Sequence, residues 1–224
     1  MDKHLKIFFN NVRHNPRWYI GEPPSLNSLL RIVFDYQLCL AAAAPQMNNW
    51  LVPFSDYVFN YYSVEPEMPG LSIMAYYSKS DEEAFYKFFE LLDKFSECEK
   101  ESKNNSDAAV DIGIIKAIPD SYTILQAFLQ KVRERPGMYF GTNHPSFSHL
   151  CEIISNYLIC VSDYDDSAKR FVSEFSDYVA DHFGFKAQRH DLFIIKHYSG
   201  DIAFEKFFEL LDEFMEQRNS IIQH

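Results

Sequence analysis

The chain has 224 residues, 47% of them hydrophobic and 17% aromatic, with a formal net charge of −11. That apolar content excludes a disordered chain, and no apolar run approaches the roughly 20 residues that a membrane-spanning helix needs. Met1 to Asn10 lacks the apolar core of a secretory signal, so a soluble cytoplasmic protein is expected.

The acidity is spread, with 12 acids against 8 bases in residues 1–98 and 15 against 10 in residues 121–224. Nucleic-acid binding rests on basic surface set against phosphate. Direct contact with nucleic acid is therefore disfavoured, and a basic protein partner is favoured. The 7 glycines leave little material for a phosphate-cradling loop. The 4 cysteines form no CxxC pair and have no ligand-spaced histidines beside them. Neither a disulfide framework, nor a metal, nor a cofactor is expected.

In chain order, His4 to Arg13 predicts a helix with Leu5, Phe8, Phe9 and Val12 on one face. Asn15-Pro16 stops it, because the residue before a proline is biased away from the helical region. Arg17 to Ile20 is a short extended candidate closed by Gly21. Ser25 caps a second helix, whose apolar face runs from Leu26 through Leu29, Val33, Tyr36 and Leu40 to about Ala44, where Pro45 ends it. Trp50 to Tyr62 predicts a third helix, with Leu51, Phe54, Tyr57, Val58 and Tyr61 inward. A loop rich in proline and glycine, Glu65 to Gly70, leads to Leu71–Tyr77, whose length and β-leaning composition predict a strand. The next helix, capped by Ser80 or Asp81, buries Phe85, Phe88, Phe89, Leu92 and Phe95.

Residues 99–120 change character. Glu99 to Asp107 is polar and reads as a linker, while Ala109 to Ile118 is apolar, as suits a segment docked on one half. The second half then retraces the order of the first. It predicts a helix at Tyr122–Glu134, an extended stretch at Met138–Phe140 and a helix at Phe147–Ser162. An acidic turn at Tyr164–Ser167, a helix at Ala168–Phe183, a strand at Leu192–Tyr198 and a helix at Ile202–Gln217 complete it.

The echo extends to single residues. Val12, Arg13, Pro16, Tyr19 and Gly21 recur as Val132, Arg133, Pro136, Tyr139 and Gly141. Tyr36 and Cys39 recur as Tyr157 and Cys160, Phe54 to Val58 as Phe175 to Val179, and Phe88 to Asp93 as Phe207 to Asp212. Ordered landmarks at so long a period mark a duplicated domain. The expected fold is mainly α (α+β): two tandem, structurally similar helical units, residues 1–98 and 121–224, each with one or two short strands, joined by a linker at 99–120. Arg13 and Arg133 fall in the last turn of a helix, where a cation complements exposed carbonyls and the dipole. Tyr139 can bury its ring while its hydroxyl keeps a polar partner. Arg13, Pro16, Tyr19 and Gly21, with Arg133, Pro136, Tyr139 and Gly141, are thus expected to form a structural corner.

The stretch Val132 to Gly141 resembles a ten-residue segment of the ATPase region of the DNA gyrase B subunit. Such ATPases also need an Asp-x-Gly-x-Gly turn, and here Asp111-Ile112-Gly113 is followed by Ile115 where the second glycine belongs. The first copy further replaces the motif's second arginine with Asn15 and its glycine with Arg17. Helical RNases of the HEPN class use an arginine and a histidine at the spacing of Arg218 and His224, which lie on a terminal tail. Asp56 and Asp177, repeated beside tyrosines, read as satisfied helix carboxylates. No catalytic residue is assigned.

The whole unit resembles small bacterial immunity proteins encoded beside toxins of contact-dependent growth inhibition and other polymorphic toxin systems. The resemblance rests on the Val-Arg-x-x-Pro-x-x-Tyr-x-Gly corner, the Pro-Ser pair before a long tyrosine-bearing helix, and the Phe-Phe-Glu-Leu-Leu-Asp helix. It implies a non-enzymatic protein that binds and blocks one cognate toxin domain, often a basic nuclease such as a tRNase. The alternatives are a degenerate GHKL-type ATPase, a HEPN-like RNase, or an acidic adaptor or regulator. Loops that combine acids with nonpolar or aromatic residues are the expected partner-binding sites. These are Glu65 and Glu67 in one loop and Asp163, Tyr164, Asp165 and Asp166 in the other. Removing Asp163, Asp165 and Asp166 together is expected to weaken binding while leaving the fold's stability intact.

Overall fold

The computed structural model describes residues 1–45, 50–64, 70–105, 119–141, 146–185, 194 and 196–222, and every regular element among them is helical. The chain divides into two compact units, Met1–Gln37 with Gln46–Ile118, and Leu38–Pro45 with Pro119–His224. No helix among the described residues is long and apolar enough to cross a membrane.

In the first unit, α1 (Lys3–His14) starts at Asp2, whose carboxylate accepts the Leu5 N–H at 3.1 Å and satisfies one of the helix's unpaired donors. The predicted stripe of Leu5, Phe8, Phe9 and Val12 is buried, with His4 beside it. Then follow α2 (Pro16–Ile20), α3 (Leu26–Ala43), whose residues from Leu38 onward count with the second unit, and α4 (Leu51–Tyr62). A 3₁₀ turn (Gly70–Ser72), α5 (Ile73–Tyr77) and α6 (Asp81–Asn105) complete the unit. Ser25 caps α3 by accepting the Ser28 N–H at 3.1 Å, and its hydroxyl donates to Asp81 at the head of α6. Phe88 is the hub of the core, with ring centroids 5.4 Å from Phe9 and 5.5 Å from Phe54. Burial of each such ring contributes about 1.5–3 kcal/mol.

In the second unit, α7 (Ser121–Glu134) is capped by Asp120, which accepts the Thr123 N–H at 2.8 Å. It is followed by α8 (Pro136–Phe140), α9 (Phe147–Val161), α10 (Ser167–His182) and α11 (Asp201–Ile222). Phe175 packs between Phe207 and Phe214, each at 5.5 Å. Tyr157 is fully buried, and its hydroxyl donates to the Ser121 carbonyl at 2.9 Å. Burial pushes that phenol far above the usual tyrosine range, so it stays a neutral donor.

Where they are described, the expected strands are helical. At Arg17–Ile20 and Met138–Phe140 the proline that ends one helix also begins the next. Pro16 and Pro136 occupy the first positions of α2 and α8, where a fixed φ is already helical and the missing N–H has no partner to lose. Leu71–Tyr77 buries Leu71, Ile73 and Met74 and exposes Tyr76 and Tyr77, a pattern that strand alternation cannot produce. Of Leu192–Tyr198, only Ile194 and 196–198 are described. Ile194, Lys196 and His197 are helical, and the Tyr198 N–H donates to the Ile194 carbonyl at 2.8 Å. The expected linker also begins later, because α6 runs to Asn105. Glu99 to Lys103 supplies good helix formers that extend an established helix at little cost. Residues 106–118, which include the apolar stretch Ala109–Ile118, lie outside the described residues.

Candidate functional site

The repeated motif forms a corner in each unit, and its arginine ties that corner to the unit's long final helix. From the last turn of α1, Arg13 donates through Nη2 to Asp93 Oδ1 at 2.8 Å and to the Phe89 carbonyl at 3.2 Å. Its guanidinium lies 4.7 Å from the centre of the Phe89 ring. Arg133 holds Asp212 with two prongs, Nη1 to Oδ1 and Nη2 to Oδ2, both at 2.7 Å. It lies 5.7 Å from the Phe208 ring centre. Asp93 and Asp212 are the last residues of the repeated Phe-Phe-Glu-Leu-Leu-Asp segment, so the two repeated motifs meet each other in space.

The tyrosines finish the corner. Tyr19 lies edge-on to Phe8 at 5.9 Å, and Tyr139 edge-on to Phe128 at 5.5 Å. Gly21, at φ 86° and ψ −171°, and Gly141, at φ 66°, turn the chain out of α2 and α8.

The acidic turn divides its residues between structure and surface. Asp165 Oδ2 accepts the Ser121 N–H at 2.6 Å, and Oδ1 accepts the Ser167 N–H at 2.9 Å. The buried Ser121 hydroxyl meets Ser167 Oγ at 3.0 Å and accepts the Ala168 N–H at 3.1 Å. Asp165 therefore fastens the start of α7 to the start of α10. This corrects the expectation that Asp163, Asp165 and Asp166 can be removed together without cost to the fold. Partial burial pushes the Asp165 carboxyl up, but hydrogen bonds from both serines outweigh it and hold the group below the usual carboxylate range. Asp163 and Tyr164 are exposed, and Asp166 is exposed and paired with Arg170 at 3.1 Å. Glu65 and Glu67 lie outside the described residues.

The groups considered for chemistry are engaged elsewhere, exposed on helices or not described. Arg218 lies over the Tyr122 and Phe171 rings at 5.1 and 5.6 Å and is 3.6 Å from Glu174. His224 and Asp111 to Gly113 are outside the described residues. Asp56 and Asp177 are exposed on their helices. Tyr178 donates to Glu213 Oε2 at 2.8 Å, with His182 Nδ1 3.7 Å from the same oxygen. Burial and that hydrogen bond push the Tyr178 phenol up to about 12, which removes it from acid–base work near neutrality. Among the described residues no cluster of histidine, cysteine or carboxylate could hold a metal, and Cys39, Cys98, Cys151 and Cys160 form no disulfide.

Two surfaces stand out. In the second unit an open groove of about 580 Å³ runs along α7 and α11 over Leu129, Phe171, Phe208 and Met215. Its charged lining among the described residues is the closed Arg133–Asp212 pair. In the first unit, Tyr61, Tyr76, Tyr77 and Tyr86 are exposed, and a shallow groove of about 450 Å³ is lined by Tyr61, Tyr77, Tyr86 and Glu83. Tyr61, expected inward, is one of the exposed rings. A usable signal was present at Tyr86, which falls off the Phe85, Phe88, Phe89 and Leu92 stripe onto the polar side of its helix. No protein-family model, curated protein or solved structure matches the chain.

Proposed function

We propose that this chain is a bacterial immunity protein. On this reading it is a non-enzymatic cytoplasmic protein, built as a tandem duplication of one helical unit, that binds a cognate toxin domain and occludes its active or substrate-binding site. The observation that carries the reading is the fate of the motif arginines. Arg13 and Arg133, which an ATPase-like or nuclease-like site would present to substrate, are each bound to an aspartate of their own unit at 2.8 and 2.7 Å. The repeated sequence is then framework, and function falls to exposed surface that the framework holds rigid. Shared contacts support the duplication, since the Arg–Asp pair, the tyrosine-on-phenylalanine packing and the proline-started short helix occur in each unit.

The net charge of −11 favours a basic partner such as a tRNase or other RNase, whose substrate cleft is built to attract phosphate. Carboxylates on an inhibitor can take the places of those phosphates. The experiment is co-expression in a toxin-sensitive host with the toxin domain encoded beside this gene. The proposal expects growth to be protected and the two proteins to co-purify as a complex. Growth arrest in the presence of soluble, folded chain would overturn it.

A further inference from the structure

Resting on the reading of the chain as an inhibitor, we infer that the tyrosine face of the first unit is the docking surface for a basic protein, whose arginine or lysine side chains lie on the rings and reach Glu82. Tyr76 is 70% exposed, Tyr86 53%, Tyr77 50% and Tyr61 44%. These rings sit together at the end of α4, on α5 and on the first turns of α6. Tyrosine supplies a large contact area and a hydroxyl at low entropic cost, and it is enriched among the residues that dominate binding energy at interfaces.

The face already takes cations. Lys87 Nζ lies 4.8 Å and Lys94 Nζ 5.6 Å from the centre of the Tyr61 ring, the negative face of a π-system that attracts ammonium and guanidinium groups. Acid flanks the rings, since Asp81, Glu82 and Glu83 form the first turn of α6. Asp81 is engaged by Ser25 and Asn27, and Glu83 accepts the Lys79 N–H at 2.7 Å, which leaves Glu82 as the outward carboxylate. The rings are also held in place. Tyr77 stacks on Tyr62 at 4.8 Å with planes 14° apart, and the Tyr61 hydroxyl accepts from Lys87 at 2.9 Å. A surface ordered before it binds loses less entropy on association.

The second copy carries other residues at three of these four positions. Aligned on the repeated Phe-Ser-Asp-Tyr-Val segment, Tyr61, Tyr76 and Tyr77 correspond to His182, His197 and Tyr198, and aligned on the Phe-Phe-Glu-Leu-Leu-Asp segment, Tyr86 corresponds to Glu205. The framework residues are shared between the copies while three of the four face positions differ, as expected where a surface serves a partner. The same comparison supplies substitutions that the framework tolerates.

The test measures binding of the toxin domain encoded beside this gene to the full chain by titration calorimetry. The triple variant Tyr61→His, Tyr76→His and Tyr86→Glu should bind about a hundredfold or more weakly, with an unchanged melting temperature. Trp18→Ala, which removes an 83% exposed ring at the α2 corner, should bind as the parent does. If the triple variant melts lower, Tyr76→Ala alone decides, with an expected loss of about tenfold. Parent-like affinity in the deciding variant, or loss of binding in Trp18→Ala alone, overturns this surface and leaves the inhibitor reading standing. No binding by the parent chain overturns the inhibitor reading and this surface with it.

Discussion

Asp165→Ala should destabilise the second unit far more than its place in a surface turn implies. Two backbone donors depend on its carboxylate, Ser121 N–H at 2.6 Å and Ser167 N–H at 2.9 Å. Ser121 is fully buried, so water cannot easily replace the lost acceptor. Loss of a helix-start acceptor costs about 1 kcal/mol, and a stranded buried N–H costs about 1–3 kcal/mol more. The sum is about 2–4 kcal/mol. Asp166→Ala is the matched control, because Asp166 makes no side-chain cap and only an exposed pair with Arg170. That change should cost about 0–1 kcal/mol. Urea unfolding of the two variants, followed by helical circular dichroism, gives the comparison. A loss for Asp165→Ala no larger than that for Asp166→Ala would refute the claim that this carboxylate fastens α7 to α10.

The same carboxylate carries a pH signature. Its folded pKa is lowered, so its stabilising share is complete above the unfolded value of about 3.9 and is lost as pH falls through the lower folded value. Asp165→Asn, which has no such proton to gain, should flatten that part of the acid limb when stability is measured against pH. The two Arg–Asp ties should each give a coupling energy of about 0.5–1 kcal/mol in double-mutant cycles of Arg13 with Asp93 and Arg133 with Asp212. No coupling in either cycle would remove these pairs from the framework. Gly21→Ala should cost about 1–3 kcal/mol, because φ 86° with ψ −171° is a conformation almost confined to glycine. Gly141→Ala, in the milder left-handed region, should cost about 1–2 kcal/mol, and thermal unfolding ranks the two.

What the sequence reveals depends on how local the cause is. The stripes Leu5, Phe8, Phe9, Val12 and Phe85, Phe88, Phe89, Leu92 were legible because a 3.6-residue period repeats over several turns. The strand expectation at Leu71–Tyr77 failed because a short apolar run has too few residues to separate the two periods, and packing of Leu71 and Met74 decides. Pro16 and Pro136 were legible as stops but not as starts. The corner motif and the Phe-Phe-Glu-Leu-Leu-Asp segment were both visible, yet their meeting was not, since Arg13 and Asp93 lie 80 residues apart. Asp165 was hidden for the same reason, as one acid among Asp163, Asp165 and Asp166 whose partner Ser121 is 44 residues away. The tyrosine face was partly legible at Tyr86, and was obscured by reading Tyr61 as buried and Tyr76 and Tyr77 as part of a strand.

The central claim is that this chain neutralises a toxin by stoichiometric binding and performs no chemistry itself. The direct measurement expresses the product of the gene beside this one and follows its cleavage of RNA as purified chain is added, with ATP hydrolysis recorded in parallel. The account predicts that cleavage falls in proportion to added chain and stops at molar equivalence, with no ATP or RNA turned over by the chain alone. Cleavage that persists at large excess, or turnover by the chain alone, would contradict it.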